Sequence, residues 1–92
     1  MHDGQATISP DILARYAADA AREVPGVAAL AGRRAVKVDG VNVEVHLVVA
    51  WGASIPEVGA AVRDRVRGYL LRMAKADAAA VEVVVDAVEG RP

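Results

Sequence analysis

A glutamate and a histidine lie two residues apart in "VNVEVHLVV", residues 41–49, a stretch that alternates apolar and polar side chains. Side chains at i and i+2 of a strand share one face, so Glu44 and His46 could share a metal ion. The other histidine, His2, lies in the N-terminal tail, and no third or fourth ligand is evident. The pattern favours a solvated sheet face, with Asn42 in the same row, over a metal site, and no cofactor is expected.

A second candidate is the corner within "VAWGASIPEV", residues 49–58, where a predicted strand meets a predicted helix. Amides at a helix N-terminus can bind an anion, which makes Gly52 and Ser54 a weak candidate anion site. The glycine and lysine spacing of a P-loop is absent. Ser54 and Glu57 instead fit a capping box, and the carboxylate of Glu57 would repel phosphate. The corner is therefore interpreted first as a structural turn.

Arginines at positions 63, 65, 67 and 72 of the second predicted helix could meet phosphates. The formal net charge of −1, from eleven basic and twelve acidic residues, provides no global attraction to nucleic acid. No GxxG loop of a KH module is present, and Trp51 is the one aromatic residue on the predicted strands. Nucleic-acid binding through this helix remains the alternative function, and a solvated helix face is favoured.

The remaining composition predicts a single domain over residues 1–92, with a core from about 6 to 90. The chain has no cysteine, and no Ser-His-Asp set or cofactor loop can be assembled, so we do not expect an enzyme. Apolar residues make up 54% of the chain and are mostly alanine and valine, which predicts a thin core. Because no export signal or apolar run of about 18 residues is visible, we expect a cytoplasmic protein.

Hydrophobic periodicity predicts a helix over about 10–24, a long strand over 41–51, a helix over 55–74 and a last strand over 81–88. Asp39-Gly40 predicts a two-residue hairpin turn that pairs Val38 with Val41 and Val36 with Val43. "VAALAGRR", residues 27–34, is interpreted as a loop, and a further short strand is possible at residues 5–8.

These elements predict an α+β fold of order (β)αββαβ, with both helices on one face of a three- to four-stranded mixed sheet. The other face carries polar residues together with more valine than solvent contact alone requires. It is the candidate partner surface, formed by Asn42, Glu44, His46, Val48, Val84 and Val88.

Four segments together resemble the alkaline shock protein family, the envelope stress response proteins of Gram-positive bacteria. They are "ISPDILARYAADAAREVPGVAAL", "VKVDGVNVEVHLVVAWG", "SIPEVGAAVRDRVRGYL" and "VEVVVDAVEG", in order over about residues 6–90. The resemblance implies a non-enzymatic cytoplasmic protein that self-associates and is recruited to the inner face of the membrane by a membrane-anchored partner. Family members often have a glycine after the second helix, where this chain has Lys75-Ala76-Asp77.

Overall fold

The elements of the chain, seen in a computed structural model that describes residues 8–78 and 80–90, follow the order αβββαβ. They are α1 (Pro10–Arg22), β1 (Val27–Leu30), β2 (Val36–Asp39), β3 (Asn42–Ala50), α2 (Ile55–Ala74) and β4 (Ala80–Glu89). Both helices pack on one face of a mixed four-stranded sheet, so the predicted α+β class is confirmed. The possible strand at residues 5–8 lies outside the described residues except for Ile8, which is not in a strand.

Both helices begin at the capping serines that the sequence indicates. The Ser9 hydroxyl accepts the Ile12 N–H at 3.2 Å, and the Ser54 hydroxyl accepts the Glu57 N–H at 3.4 Å. Each cap satisfies one of the amides that a helix N-terminus leaves without an intrahelical partner. The bounds of α2 are those predicted, whereas α1 ends at Arg22, two residues early.

Strand β3 is the centre of the sheet and has neighbours on both edges. β1 and β2 pair antiparallel with its two halves along one edge, and β4 pairs parallel with it along the other. A parallel neighbour needs a long crossover connection, which α2 provides between β3 and β4. The outcome is that β3 contributes to every strand pair of the described sheet.

The interpretation of residues 27–34 as a loop is wrong for its first half, because Val27–Leu30 form β1. Val27 pairs with Val49 and Leu30 with Leu47, with a bulge between Val27 and Ala29. The Ala31 N–H then donates to the His46 carbonyl at 2.9 Å. Pairing with the edge of β3 thus overrides the low strand propensity of the alanines.

The predicted hairpin register is also wrong, because the two-residue turn lies one position later in the chain than predicted. Val38 pairs with Val43 and Val36 with Val45, and the turn residues are Gly40 and Val41. Gly40 has φ +62°, as the first central residue of a type II′ turn requires. The shift preserves which face each valine occupies but leaves Val41 in the turn, 55% exposed.

The core lies between the two helices and the face of the sheet that they cover. Small side chains of α1 allow close approach, and the largest fully buried side chains are two leucines and four valines. These are Leu47, Leu70, Val45, Val49, Val62 and Val66. The core is therefore built mainly from alanine and valine side chains, as the composition predicts.

Lys75 ends α2 in the left-handed conformation, with φ +55°. Here the Ala76 N–H reaches back to the Leu70 carbonyl at 3.2 Å. A side chain with a Cβ is strained in this conformation, and glycine is not. We expect Lys75→Gly to raise the free energy of unfolding by about 1 kcal/mol in urea melts.

The matched control for this substitution is Ala76→Gly, one residue further along, where φ is not positive. Glycine there only adds freedom to the unfolded chain, so stability should fall. Equal effects of the two substitutions would contradict the assignment of strain to Lys75.

Candidate functional site

The face of the sheet opposite to the helices is open in the part of the chain that the structure describes. Strand register places the even-numbered residues of β3 there, together with their partners in β1, β2 and β4. We call this surface the outer sheet face. Its members are Ala29, Lys37, Asp39, Asn42, Glu44, His46, Val48, Ala50, Ala80, Glu82, Val84, Asp86, Ala87 and Glu89.

Five of the six residues of the sequence-predicted partner surface lie together on the outer sheet face, namely Asn42, Glu44, His46, Val48 and Val84. Val88 does not lie with them. Strand β4 has one extra residue opposite the step from Leu47 to Val48 of β3. Val88 therefore pairs with Val49, whose side chain is buried in the core. An extra residue in one strand exchanges the faces of all residues that follow it, so Ala87 and Glu89 lie on the outer sheet face and Val88 does not.

His46 lies between two carboxylates at the middle of the outer sheet face. Its Nε2 contacts Glu44 on the same strand, and its Nδ1 lies 3.1 Å from Oδ1 of Asp86 on β4. A carboxylate is only an acceptor, and a neutral imidazole has one N–H to donate. Both contacts are satisfied together only by the protonated ring, so the arrangement is built for an imidazolium.

The hydrogen bond to Glu44, and to a lesser extent the one to Asp86, raises the pKa of His46 above its usual value of 6.5. A group whose pKa is higher in the folded state than in the unfolded state stabilises the protein when it is protonated. This stabilisation is complete below the unfolded-state pKa and is lost as pH rises through the folded-state pKa. We expect the unfolding free energies of wild type and His46→Gln to differ most at about pH 5.5 and to converge in alkaline solution. Urea melts across this pH range measure the difference.

The comparison isolates one histidine, because His2 is present in both proteins. Glutamine keeps an amide that can donate to one carboxylate but cannot become charged. A difference in stability that did not change with pH would contradict the role assigned to protonated His46.

The three side chains do not form a metal centre. Glu44 and Asp86 contact opposite nitrogens of the imidazole ring, so the ring separates the two carboxylates. Among residues 8–78 and 80–90, no group of three or more histidine, aspartate or glutamate side chains is arranged to hold a metal ion. Asp86 was absent from the sequence-predicted surface, although it lies two residues after Val84 and so shares its predicted face.

Carboxylates dominate the charge of the outer sheet face. Asp39, Glu44, Glu82, Asp86 and Glu89 are five of the twelve acidic residues of the chain, whereas Lys37 is one of its eleven basic residues. The remainder of the chain is therefore net basic. This division concentrates negative charge on the outer sheet face of a nearly neutral protein.

The corner at Gly52 and Ser54 has the geometry of a turn followed by a helix cap. Gly52 adopts φ +90°, and the Ala53 N–H donates to the Ala50 carbonyl at 3.1 Å. The Ser54 hydroxyl is used by the cap of α2, and Glu57 places a carboxylate in the same first turn. These contacts account for both residues as parts of the strand-to-helix connection.

Arg65 and Arg72 of α2 contact other residues of the chain. Arg65 forms an ion pair with Glu23 at 2.8 Å, close to the end of α1. Arg72 lies over the ring of Tyr69, 5.5 Å from its centroid, and Tyr69 meets Tyr16 of α1 edge to face. These two arginines therefore help to join the helices to one another.

Neither helix of the described chain is long and apolar enough to cross a membrane. Among solved structures, the chain resembles a MamM-CTD variant with TM-score 0.57 and 17% identity, over 88% of this chain and 100% of that one. It also resembles a manganese form of a MamM CTD variant, with TM-score 0.53 and 16% identity, over 84% and 96% of the two chains. At these identities the likeness concerns the fold alone.

Sequence comparison identifies relatives. The protein YqhY of Bacillus subtilis (strain 168) is 35% identical over an alignment 91 residues long, and the match covers 78% of this chain and 67% of YqhY. Residues 34–90 match the alkaline shock protein 23 family, which is described by a cell envelope-related function. This match includes β2, β3, α2 and β4, and with them most of the outer sheet face. The chain is a member of the alkaline shock protein family.

Proposed function

We propose that the protein is a non-enzymatic module of the cell envelope that acts through protein–protein contacts made by its outer sheet face. A membrane-anchored partner recruits it to the cytoplasmic side of the membrane. The cell envelope-related function of the family supports the place of action. The partner and the recruitment are our proposal.

The observation that carries this proposal is the open, partly apolar outer sheet face. Val48 and Val84 are only partly buried there, and Ala29 and Ala87 are exposed beside Val48. A sheet with one covered face usually presents polar residues on the other, so a central apolar strip favours a surface that a partner covers. The charged residues that surround the strip resemble the polar rim of a protein interface.

Fractionation of the tagged protein in its host tests the proposal. We expect the protein to sediment with membranes and to be released when membrane proteins are digested. The purified protein should not bind protein-free vesicles made from lipids of the same membrane, because recruitment depends on the anchor.

The control is the same tag on an unrelated protein of similar size, which should remain in the supernatant. A protein that stays wholly in the supernatant would contradict recruitment. Sedimentation with the protein-free vesicles would contradict the need for an anchor protein.

A further inference from the structure

We propose that the outer sheet face binds a cationic, partly apolar peptide segment of another protein, an inference that rests on the protein-contact function proposed above. The segment has lysine or arginine at both ends and apolar residues between them. The charges, their spacing along the strands and the shape of the surface support this choice of partner.

The cross-strand pairing leaves negative charge without a counterion. Glu82 on β4 lies directly opposite Glu44 on β3, and like charges at paired positions of a sheet repel each other. Glu44 itself contacts His46 and lies opposite Lys37, so the charge without a counterion in this row is that of Glu82. Within the described residues, no ion pair involves Asp39, Glu82 or Glu89. Cationic side chains from a partner would relieve this repulsion, so the electrostatics of the surface favour binding of a cationic partner.

The acidic and apolar residues alternate along the strands in a defined order. Glu44 and Glu82 form one row, His46 and Val84 form the next, and Val48 and Ala87 form a third. Glu89 lies beside Ala50 at the far end. The seven residues from position 44 to position 50 of β3 span about 20 Å. An extended segment of about seven residues, or a helix of about four turns, matches that length.

A shallow cavity of about 340 Å³ lies at the end of the outer sheet face where β2 and β3 join. Its lining includes the carboxylates of Asp39, Glu44 and Glu82, together with Lys37. Lys37 and the imidazolium of His46 offset part of this charge, but Asp39 and Glu82 form no ion pair within the described residues, so the cavity favours the end of one lysine or arginine side chain.

Other occupants fit these features less well. An anionic membrane surface would be repelled by the acidic residues. A second copy of the chain offers the arginines of α2, but Arg65 and Arg72 already have partners within the chain. A metal ion has no suitable group of three ligands among the described residues.

Fluorescence anisotropy of a labelled synthetic peptide, with a valine core and lysines at both ends, tests the proposal on the 92-residue chain. The test variant is Glu82→Lys/Glu89→Lys, which reverses charge on the outer sheet face. The matched control is Asp64→Lys/Asp77→Lys, which makes the same change in net charge at exposed positions elsewhere. If the reversal variant does not fold, Glu82→Gln/Glu89→Gln replaces it.

We expect the reversal variant to bind the peptide about tenfold more weakly or worse, and the control less than about twofold more weakly. Added salt should weaken binding to the wild type. A peptide with glutamates in place of the lysines should not bind. Equal weakening in both variants, or no binding by the wild type, would overturn the proposal.

The same variants in the host separate this proposal from the proposed function. If the wild type and the reversal variant sediment equally with membranes, the cationic partner is excluded while envelope recruitment stands. If the wild type stays in the supernatant, recruitment fails, and the peptide measurement alone decides the chemistry of the outer sheet face. Self-association that only the reversal variant loses would identify a second copy as the occupant and overturn the proposal.

Discussion

Replacing Gly26 by alanine is expected to lower the free energy of unfolding by about 2 to 4 kcal/mol. Two effects add at this position. Gly26 adopts φ +97°, and a Cβ there would lie 2.6 Å from Cγ2 of Val58 and 3.2 Å from the Cβ of Ala53. Val58 is β-branched and lies on α2, so it has little rotameric freedom to move away. Chemical denaturation of the purified protein measures the loss.

Two controls separate the backbone effect from the steric effect. Gly32 has a similar φ of +87°, but a Cβ there would meet nothing within 4 Å, so Gly32→Ala should cost only about 1 kcal/mol. Val58→Ala makes room for the new methyl group, so the double variant should lose less stability than the two single variants together. Equal effects at Gly26 and Gly32, or strict additivity with Val58→Ala, would contradict the contact between this turn and α2.

Truncating Leu47 to alanine is expected to cost about 2 to 5 kcal/mol. Leu47 is fully buried at the middle of β3, where it pairs with Leu30 on one side and Val85 on the other. The core has few large side chains, so neighbouring alanines and valines cannot fill the cavity. In a domain of marginal stability this loss is a large share of the total, and a urea melt would show it as a strongly lowered midpoint.

Leu71 provides the matched control, because it carries the same side chain but is 51% exposed on α2. Leu71→Ala should change stability by no more than about 0.5 kcal/mol. Leu47→Met, which keeps most of the volume, should cost less than about 1.5 kcal/mol. The account of the core would be wrong if Leu47→Ala were no worse than Leu71→Ala.

The elements that the sequence predicted well are those whose patterns are local. The bounds of α2 follow from the Ser54 cap and a regular apolar stripe. Of the predicted stripe residues, Val58, Val62, Val66 and Leu70 are buried and Tyr69 is partly buried, whereas Ile55 and Met73 are exposed. The alternation in β3 likewise identified its covered face. Both patterns depend on neighbours within one element, so they can be read before any tertiary contact is known.

The errors concern pairing between distant segments. Strand β1 has an alanine-rich sequence with no alternation, and it is extended because the edge of β3 is available to it. The bulge that turns Val88 toward the face on which the helices pack, where it is still 45% exposed, depends on how β4 aligns with β3, and no local signal in "AVEVVVDAVE" marks it. The partnership of His46 with Asp86 follows from the same parallel pairing, across forty positions of sequence.

The candidate partner surface was therefore predicted in outline but not in its chemistry. The sequence predicts that Asn42, Glu44 and His46 share one face. Glu82 and Glu89 can be assigned to the same surface only when the pairing of β4 with β3 is known. The pairing brings scattered carboxylates together on one surface, where an apolar strip lies beside the His46 cluster.

The most direct test of the central claim is photo-crosslinking in the host, from an unnatural amino acid placed either at Glu82 on the outer sheet face or at Arg63 on α2. Both positions are exposed, so either can accept the probe without disturbing the core. We predict a discrete adduct with a membrane protein from position 82 and none from position 63. Adducts from position 63 alone, or none from position 82, would contradict a function exerted through the outer sheet face.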